Sequence, residues 1–334
     1  MRTTRTDIEP ALRLRRVDDI CSIGLMLVPN FSLIAFTSLV EPLRLANRCA
    51  GRPLFSWRIL SRDGEPVRAS NGVSVSVDGT FRSAERLSAA IVCSGEEVPH
   101  IDHRDLNSVL RRLASFGCSL GAVCTGTYVL AKAGLLNGYR ATIHWEDYPS
   151  LVSDFPDLQI SKELFEIDRN RFTCAGGTAA IDMMLAIVSQ EQGSALAAQV
   201  TDVLVHHRMR EGGERQRMDL RSRLGVAHPK LLSVVQRMEE TVDSPVSCSE
   251  LARSEGISTR QLERLFSKYI GHSPTRHYLT VRLERARFLL VQTSMPILSV
   301  AMACGFVSAS HFSKSYHEHF QRTPSAERRG TQSK

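Results

Sequence analysis

No uninterrupted apolar stretch in this chain approaches the ~18 residues that a membrane-spanning helix needs, so no helical span is expected. The eight cysteines, Cys21, Cys49, Cys93, Cys118, Cys124, Cys174, Cys248 and Cys304, include no CxxC pair. That argues against both a zinc site and a disulfide framework, and no metal or cofactor is expected. Several of them sit in apolar runs and read as small core residues. The Arg-rich opening, MRTTRTDIEPALRLRR, is followed by an apolar run from Ile23 to Val28 that is too short for a signal peptide. Residues 1–19 are therefore expected to form a disordered basic tail, and the protein to be cytoplasmic. Acidic residues are scarce toward one end. From Gly225 onward 15 Lys/Arg face 9 Asp/Glu, whereas residues 1–224 hold 27 against 26. Most of the net charge of +7 thus sits in the last third of the chain, where a solvated basic face and a phosphate-binding surface are the competing readings.

What that basic third contains decides between them. Ala252, Gly256, Ile257 and Ser258 are followed by Leu262, Phe266 and Pro274. Ala301, Gly305, Phe306 and Ser308 are followed by Phe312, Tyr316 and Pro324. Glycine to proline is 18 residues in the first copy and 19 in the second, and the glycines are 49 apart. Each copy reads as a short helix, a glycine turn and a second helix with apolar residues four apart. That is a helix-turn-helix, whose second helix can lie in the major groove. Ser258 and Ser308 are placed to cap the reading helices. On the first, expected over Thr259–Tyr269, Leu262, Leu265 and Phe266 form the apolar stripe and Arg260, Glu263, Arg264 and Lys268 point outward. On the second, Phe312, Tyr316 and Phe320 face inward, leaving Ala309, Ser310, His311, Ser313 and Lys314 for the groove. These side chains discriminate weakly, so more phosphate contact than base readout is expected there. A helix over 275–291, carrying Arg276, Arg282, Arg285 and Arg287 against Glu284, would hold the reading heads about one DNA turn, ~34 Å, apart.

The preceding two thirds alternate strands and helices. Strands are expected over 22–28, 55–61, 73–77, 89–93 and 119–123, and helices over 34–49, 105–115 and 128–134. The pattern is that of an α/β domain, a parallel sheet covered by helices on both faces, flavodoxin-like. At Ala122-Val123-Cys124-Thr125-Gly126 a strand runs straight into a helix through a cysteine. Such an elbow lifts a thiol above the sheet edge, toward a helix N-terminus, where its pKa is lowered. A buried cysteine at a strand end is the alternative.

The segment GAVCTGTYVLAKAGLLNGYRATIHWE, with TCAGGTAAIDMMLAIV at 173–188, resembles the PfpI-like branch of the class I glutamine amidotransferase-like superfamily. That branch includes proteases, chaperone-like proteins and isocyanide hydratases. ELARSEGISTRQLERLF, SPTRHYLTVRLERARFLL and PILSVAMACGFVSASHFSKSYHEHF resemble the AraC/XylS DNA-binding domain. In this order the two resemble the GlxA-type AraC regulators, and the segment REGGERQRMDLRSRLGVAHPKL is similar to regulators of arginine, glycine betaine and carnitine use. The resemblance makes Arg260, Glu263 and Arg264 the base-facing positions, where arginine can pair with guanine and glutamate with cytosine.

The same resemblance argues against catalysis. PfpI-like enzymes place an acid on the first strand-to-helix loop, beside the elbow thiol. Here that position is Ala35, and no acid occurs between Val28 and Val40. A nucleophile without its proton-transferring partner loses much of its competence. His144 is a further candidate partner for Cys124. No catalytic residue is therefore assigned, and the domain reads as a former enzyme fold kept as an effector pocket walled by Cys124, Thr125, His144, Trp145, Glu146 and Gly176 to Thr178. Trp145 could hold a quaternary ammonium by cation–π contact, or could simply pack beside the sheet. Glu146 could add charge, and the helix N-terminus after Cys124 could take a carboxylate, so an amino acid or betaine would use both ends.

The expected boundaries are 20–205 for the sensing domain, 206–228 for an exposed linker and 229–330 for the DNA-binding domain. The function expected is a sequence-specific transcriptional regulator, an activator by analogy with AraC. Its partners would be double-stranded operator DNA, a small-molecule effector, RNA polymerase and a second copy of itself, with no membrane. The alternatives are a PfpI-type cysteine enzyme, amidase or isocyanide hydratase-like, tethered to DNA, or a purely structural first domain.

Overall fold

The computed structural model describes residues 12, 14, 16 and 19–332, apart from 97, 99, 100 and 294. The chain divides into two compact units between Gln216 and Arg217.

The first unit carries strands β1 (Cys21–Leu27), β2 (Phe55–Ser61), β3 (Val67–Arg68), β4 (Ser74–Val75), β5 (Gly79–Thr80), β6 (Ala89–Cys93), β7 (Ser119–Val123), β8 (Arg140–Thr142), β9 (Gln159–Ser161), β10 (Phe165–Asp168) and β11 (Arg171–Cys174). Its helices are α1 (Leu33–Ala50), α2 (Arg104–Ser115), α3 (Gly126–Lys132), α4 (Tyr148–Asp154), α5 (Ala179–Gln192) and α6 (Ser194–Val203). The main sheet runs β10-β11-β7-β6-β1-β2-β5, parallel except for the β10–β11 pair. Strands buried on both faces need apolar side chains at every position, which is why β1, β6 and β7 are near-continuous apolar runs. Alternate residues separate cleanly. Leu25, Leu27, Ile91, Cys93 and Val123 join the core under α1, α5 and α6, while Met26, Ala90, Val92, Leu120 and Ala122 join the core under α2 and α3.

The strands expected over 22–28, 55–61, 89–93 and 119–123 and the helices over 34–49 and 105–115 all form, within a residue or two at their ends. The strand expected over 73–77 is the exception. Only Ser74–Val75 pair, with Val67–Arg68, in a small hairpin outside the main sheet. Alternation there reflects a half-exposed hairpin and not a core strand. Most of the tail expected over 1–19 lies outside the described residues. Leu12 and Leu14, which are described, do not behave as a tail: both are buried, and the Leu14 N–H donates to Glu191 at 2.8 Å.

The exposed linker expected over 206–228 does not form as one piece. Residues 206–216 lie along the first unit, with the Leu164 N–H donating to the carbonyls of Gly212 and Glu214 at 2.8 and 2.9 Å. Residues from 217 belong to the second unit, where Arg223 pairs with Glu239 at 2.6 Å and Val226 is buried. The charge of residues 206–216 is exposed, as expected, and also paired: Arg208, its side chain 66% exposed, grips Glu214 with two bonds of 2.6 and 2.8 Å.

The second unit is helical throughout: α7 (Leu220–Leu224), α8 (Pro229–Glu240), α9 (Cys248–Ser254), α10 (Thr259–Tyr269), α11 (Pro274–Gln292), α12 (Ile297–Ala303), α13 (Ala309–Phe320) and α14 (Pro324–Gln332). It has two cores joined by one helix. Tyr278 of α11 closes the core of α8, α9 and α10, while Leu283, Ala286, Leu289 and Leu290 of the same helix build the core of α12 and α13.

Candidate nucleic-acid interface and effector site

The repeat read in the sequence is also a repeat in space. Each supporting helix, α9 or α12, ends at a left-handed glycine, Gly256 at φ +62° and Gly305 at φ +71°. The next residue, Ile257 or Phe306, returns its N–H to the carbonyl of Ala252 or Ala301 at 3.1 and 2.9 Å. Ser258 then caps α10 by accepting from the Gln261 N–H, and Gln261 reciprocates by accepting from the Ser258 N–H. Such a capping box satisfies two helix-end donors at once. Ser308 caps α13 through the His311 N–H at 3.2 Å.

The faces fall as expected. Leu262 and Phe266 of α10 are buried, and Phe312 and Tyr316 of α13 likewise, in an aromatic ladder that continues to Phe320. Arg260, Glu263, Arg264 and Lys268 are exposed on α10, and Ala309, Ser310, His311, Ser313 and Lys314 on α13. Arg282 is not on that face. Its guanidinium, half-buried, donates to the carbonyls of Cys304 and Gly305 at 2.8 and 2.7 Å and lies 4.2 Å over the Phe306 ring. The second turn is also pressed onto the first half of the unit: a Cβ on Gly305 would lie 2.4 Å from Pro245. The two reading heads are thereby fixed relative to one another.

In the first unit the elbow is present. Cys124 sits at φ +56°, a left-handed conformation that a residue with a side chain adopts only when its surroundings impose it. Those surroundings are close: a Cβ on Gly126 would lie 2.5 Å from the Val92 carbonyl, and one on Gly176 2.8 Å from Cβ of Cys124. The thiol, however, is shifted away from the thiolate. Burial pushes its pKa up to about 12, and Asp147 and Glu146 oppose the thiolate further. Desolvation is the largest cause, so the direction is opposite to the one expected of an elbow at a helix N-terminus.

The remaining wall residues are brought to the same edge. Ala35 is buried inside α1 and supplies no proton-transferring group. Burial lowers the pKa of His144, whose Nδ1 lies 3.6 Å from Glu146 and 3.8 Å from Asp147. Trp145 is 38% exposed, its ring 5.6 Å from that of His144. Thr125 is buried with its hydroxyl committed to the Gly95 carbonyl at 2.5 Å, so it shapes the wall without offering a free donor.

Sequence reasoning missed the residues that lash this edge together. Asp182 of α5 is wholly buried and accepts from His206 at 2.9 Å and from the Arg210 backbone and Nε at 2.8 and 2.9 Å. Arg210 also donates to the Thr178 hydroxyl at 2.9 Å. Six residues on, the Gln216 amide donates to Ile143 and Glu163 carbonyls at 2.9 and 2.8 Å and to the Thr142 hydroxyl at 3.0 Å. The strap over 206–216 therefore binds both candidate walls, the one at Thr178 and the one just before His144. One signal was in the sequence: Asp182 stands alone as a charge in AAIDMMLAIV, and an acid in an apolar helix needs partners.

Known proteins share both halves. The DJ-1/PfpI family model matches residues 23–190, and a helix-turn-helix domain model matches residues 251–330. The chain is 46% identical over 309 residues to the HTH-type transcriptional regulator GbdR of Pseudomonas aeruginosa, covering 92% of this chain and 84% of that one. It is 38% identical to the regulator GlxA of Rhizobium meliloti, over 92% and 95%. Among solved structures, an AraC family transcriptional regulator from Pseudomonas putida superposes with a TM-score of 0.52 at 29% identity, over 55% of this chain and 98% of that one. With capped reading helices on one unit and a DJ-1/PfpI elbow on the other, this chain belongs to the GlxA-like AraC-family regulators, DNA-binding transcriptional regulators with an N-terminal DJ-1/PfpI domain.

Proposed function

We propose that the first unit senses a small zwitterionic metabolite, an amino acid or a quaternary amine, and that its occupancy sets how the second unit engages an operator. The observation that carries this reading is the strap. It hydrogen-bonds the Thr178 wall through Arg210 and the His144 wall through Gln216, and the next residue, Arg217, begins the DNA-binding unit. A ligand that separates or draws together those walls must disturb or tighten the strap, giving the two states the differential affinity a switch requires. Trp145, 38% exposed, is the aromatic ring on which a quaternary ammonium would rest, and Glu146 follows it in the chain. Arg260, Glu263, Arg264 and Lys268 read or hold DNA from α10, and Ser310, His311, Ser313 and Lys314 from α13. We further place the protein in the cytoplasm as a homodimer that activates transcription with RNA polymerase.

The test is a melting screen of the full chain against arginine, glycine betaine, carnitine and related amines, repeated on Trp145→Ala, with operator affinity measured beside it. One compound that raises the melting temperature, changes operator affinity and loses both effects in Trp145→Ala supports the reading. A panel that shifts neither melting nor affinity sinks it.

A cysteine enzyme is the second reading, favoured by one observation, the left-handed Cys124. Ala35 in place of an acid and the raised thiol weigh against it. Turnover of an amide or isocyanide that is abolished by Cys124→Ser would reverse that weighting.

A further inference from the structure

The two helix-turn-helix units differ by one residue, and the difference falls at the end of the reading helix that enters the groove. Ile257 and Phe306 are structural equivalents, since each follows the left-handed glycine and donates its N–H to the matching alanine carbonyl. In the first unit the cap Ser258 comes next. In the second, Val307 intervenes before the cap Ser308. Phe306 is buried under Arg282, so the extra residue cannot be absorbed inward, and Val307 is 98% exposed, the most exposed of the large apolar side chains among the described residues. No packing within the unit accounts for an apolar side chain there.

We infer that Val307 is a base-reading residue of the second unit, and that its partner is the C5 methyl of a thymine in the major groove. The inference rests on the family's DNA binding and is independent of the effector reading. Helix-turn-helix proteins contact base edges with the N-terminal residues of the reading helix, and Val307 directly precedes the cap of that helix. Valine has neither donor nor acceptor, so the base feature it matches is the thymine methyl. Its β-branched side chain holds one rotamer well, and the turn beneath it is clamped by Arg282 and Pro245, so the contact is presented without much ordering. This adds a discriminating side chain to a unit whose other groove-facing residues are small or weakly selective.

The test starts from an operator selected from random duplexes by the full-length protein. Each thymine in the segment protected by the second unit is then replaced singly by deoxyuridine, which keeps every hydrogen-bonding group and lacks only the methyl. Removing one buried methyl is expected to weaken binding about fourfold, from roughly 0.8 kcal/mol per buried carbon and 1.4 kcal/mol per tenfold. That loss should occur at one position with the wild type and vanish with Val307→Ala. Because Val307 is exposed, the variant should melt with the wild type, which separates the effect from misfolding. Three results would overturn the inference: no methyl-sensitive position in that segment, a sensitive position unchanged in the variant, or an equal loss of affinity for all sequences, which would mean a sugar-phosphate contact.

Discussion

Removing one side of the Asp182 cluster should cost more than removing the other, although both break the same ion pair. Asp182→Ala eliminates a carboxylate that accepts from His206 and from the backbone and guanidinium of Arg210. The side-chain donors left behind are not stranded, because the Arg210 and His206 side chains are 29% and 20% exposed and can turn to water; the Arg210 backbone N–H loses its acceptor. Charge-assisted hydrogen bonds contribute ~1.5–3 kcal/mol each, but the variant also no longer buries a charge, so a net loss of about 2–3 kcal/mol is expected. Arg210→Met is different. It leaves a carboxylate with no exposed surface, still held by His206 and one backbone N–H but without its guanidinium. Breaking a buried pair in that sense costs about 3–5 kcal/mol. For a domain of this size, ~2–4 °C of melting temperature accompanies each kcal/mol. The first unit should therefore melt about 5–10 °C lower in Asp182→Ala, and lower still in Arg210→Met, with the double variant milder than the sum of the two. Thermal melts followed by circular dichroism measure this, and trypsin cleavage after Arg208 and Arg215 should accelerate as the strap loosens. An Asp182→Ala protein melting within 2 °C of wild type, or one less stable than Arg210→Met, would refute the account.

Other expectations are open to equally direct measurement. Gly256→Ala and Gly305→Ala impose the same left-handed strain, ~1–2 kcal/mol, but only the second drives a Cβ to 2.4 Å from Pro245. Denaturant titration should find Gly305→Ala worse by a further ~1–3 kcal/mol, the usual cost of overpacking. Ser258→Ala removes the hydroxyl that caps the Gln261 N–H while keeping the backbone N–H that Gln261 accepts from, and should lower the stability of the second unit by about 1 kcal/mol in the same titration. For Cys124, a pKa pushed up to about 12 leaves the thiol protonated near neutrality. Its alkylation, followed peptide by peptide in a mass spectrometer, should climb about tenfold per pH unit from 7 to 9. A plateau in that window would indicate a thiolate and contradict the burial argument.

Periodicity and caps made the helical unit legible before any coordinates. Thr259–Tyr269 and its cap Ser258 stand where the spacing of Leu262, Leu265 and Phe266 put them, because these signals are local. The core strands were legible for a related reason: burial on two faces leaves a continuous apolar run. What escaped was non-local. Nothing near Gln216 announces that its amide will meet Ile143, and the charged run around it resembles a solvated linker until Glu214 and Asp182 are found as partners. The direction of the Cys124 shift also escaped, since an elbow motif specifies backbone shape but not how deeply the fold buries it.

The unequal turns of the second unit have a consequence for how the protein lies along a promoter. Two identical heads on one chain would engage a site of two like segments, and only their fixed tilt would say which came first. Heads that differ by an inserted valine, and by arginines on one and small side chains on the other, make the chain an arrow. A site for one chain then has a front and a back. Inverting it turns the bound chain around with it, so under the proposed assignment of reading residues the direction in which one subunit faces the transcription start follows the direction of its site.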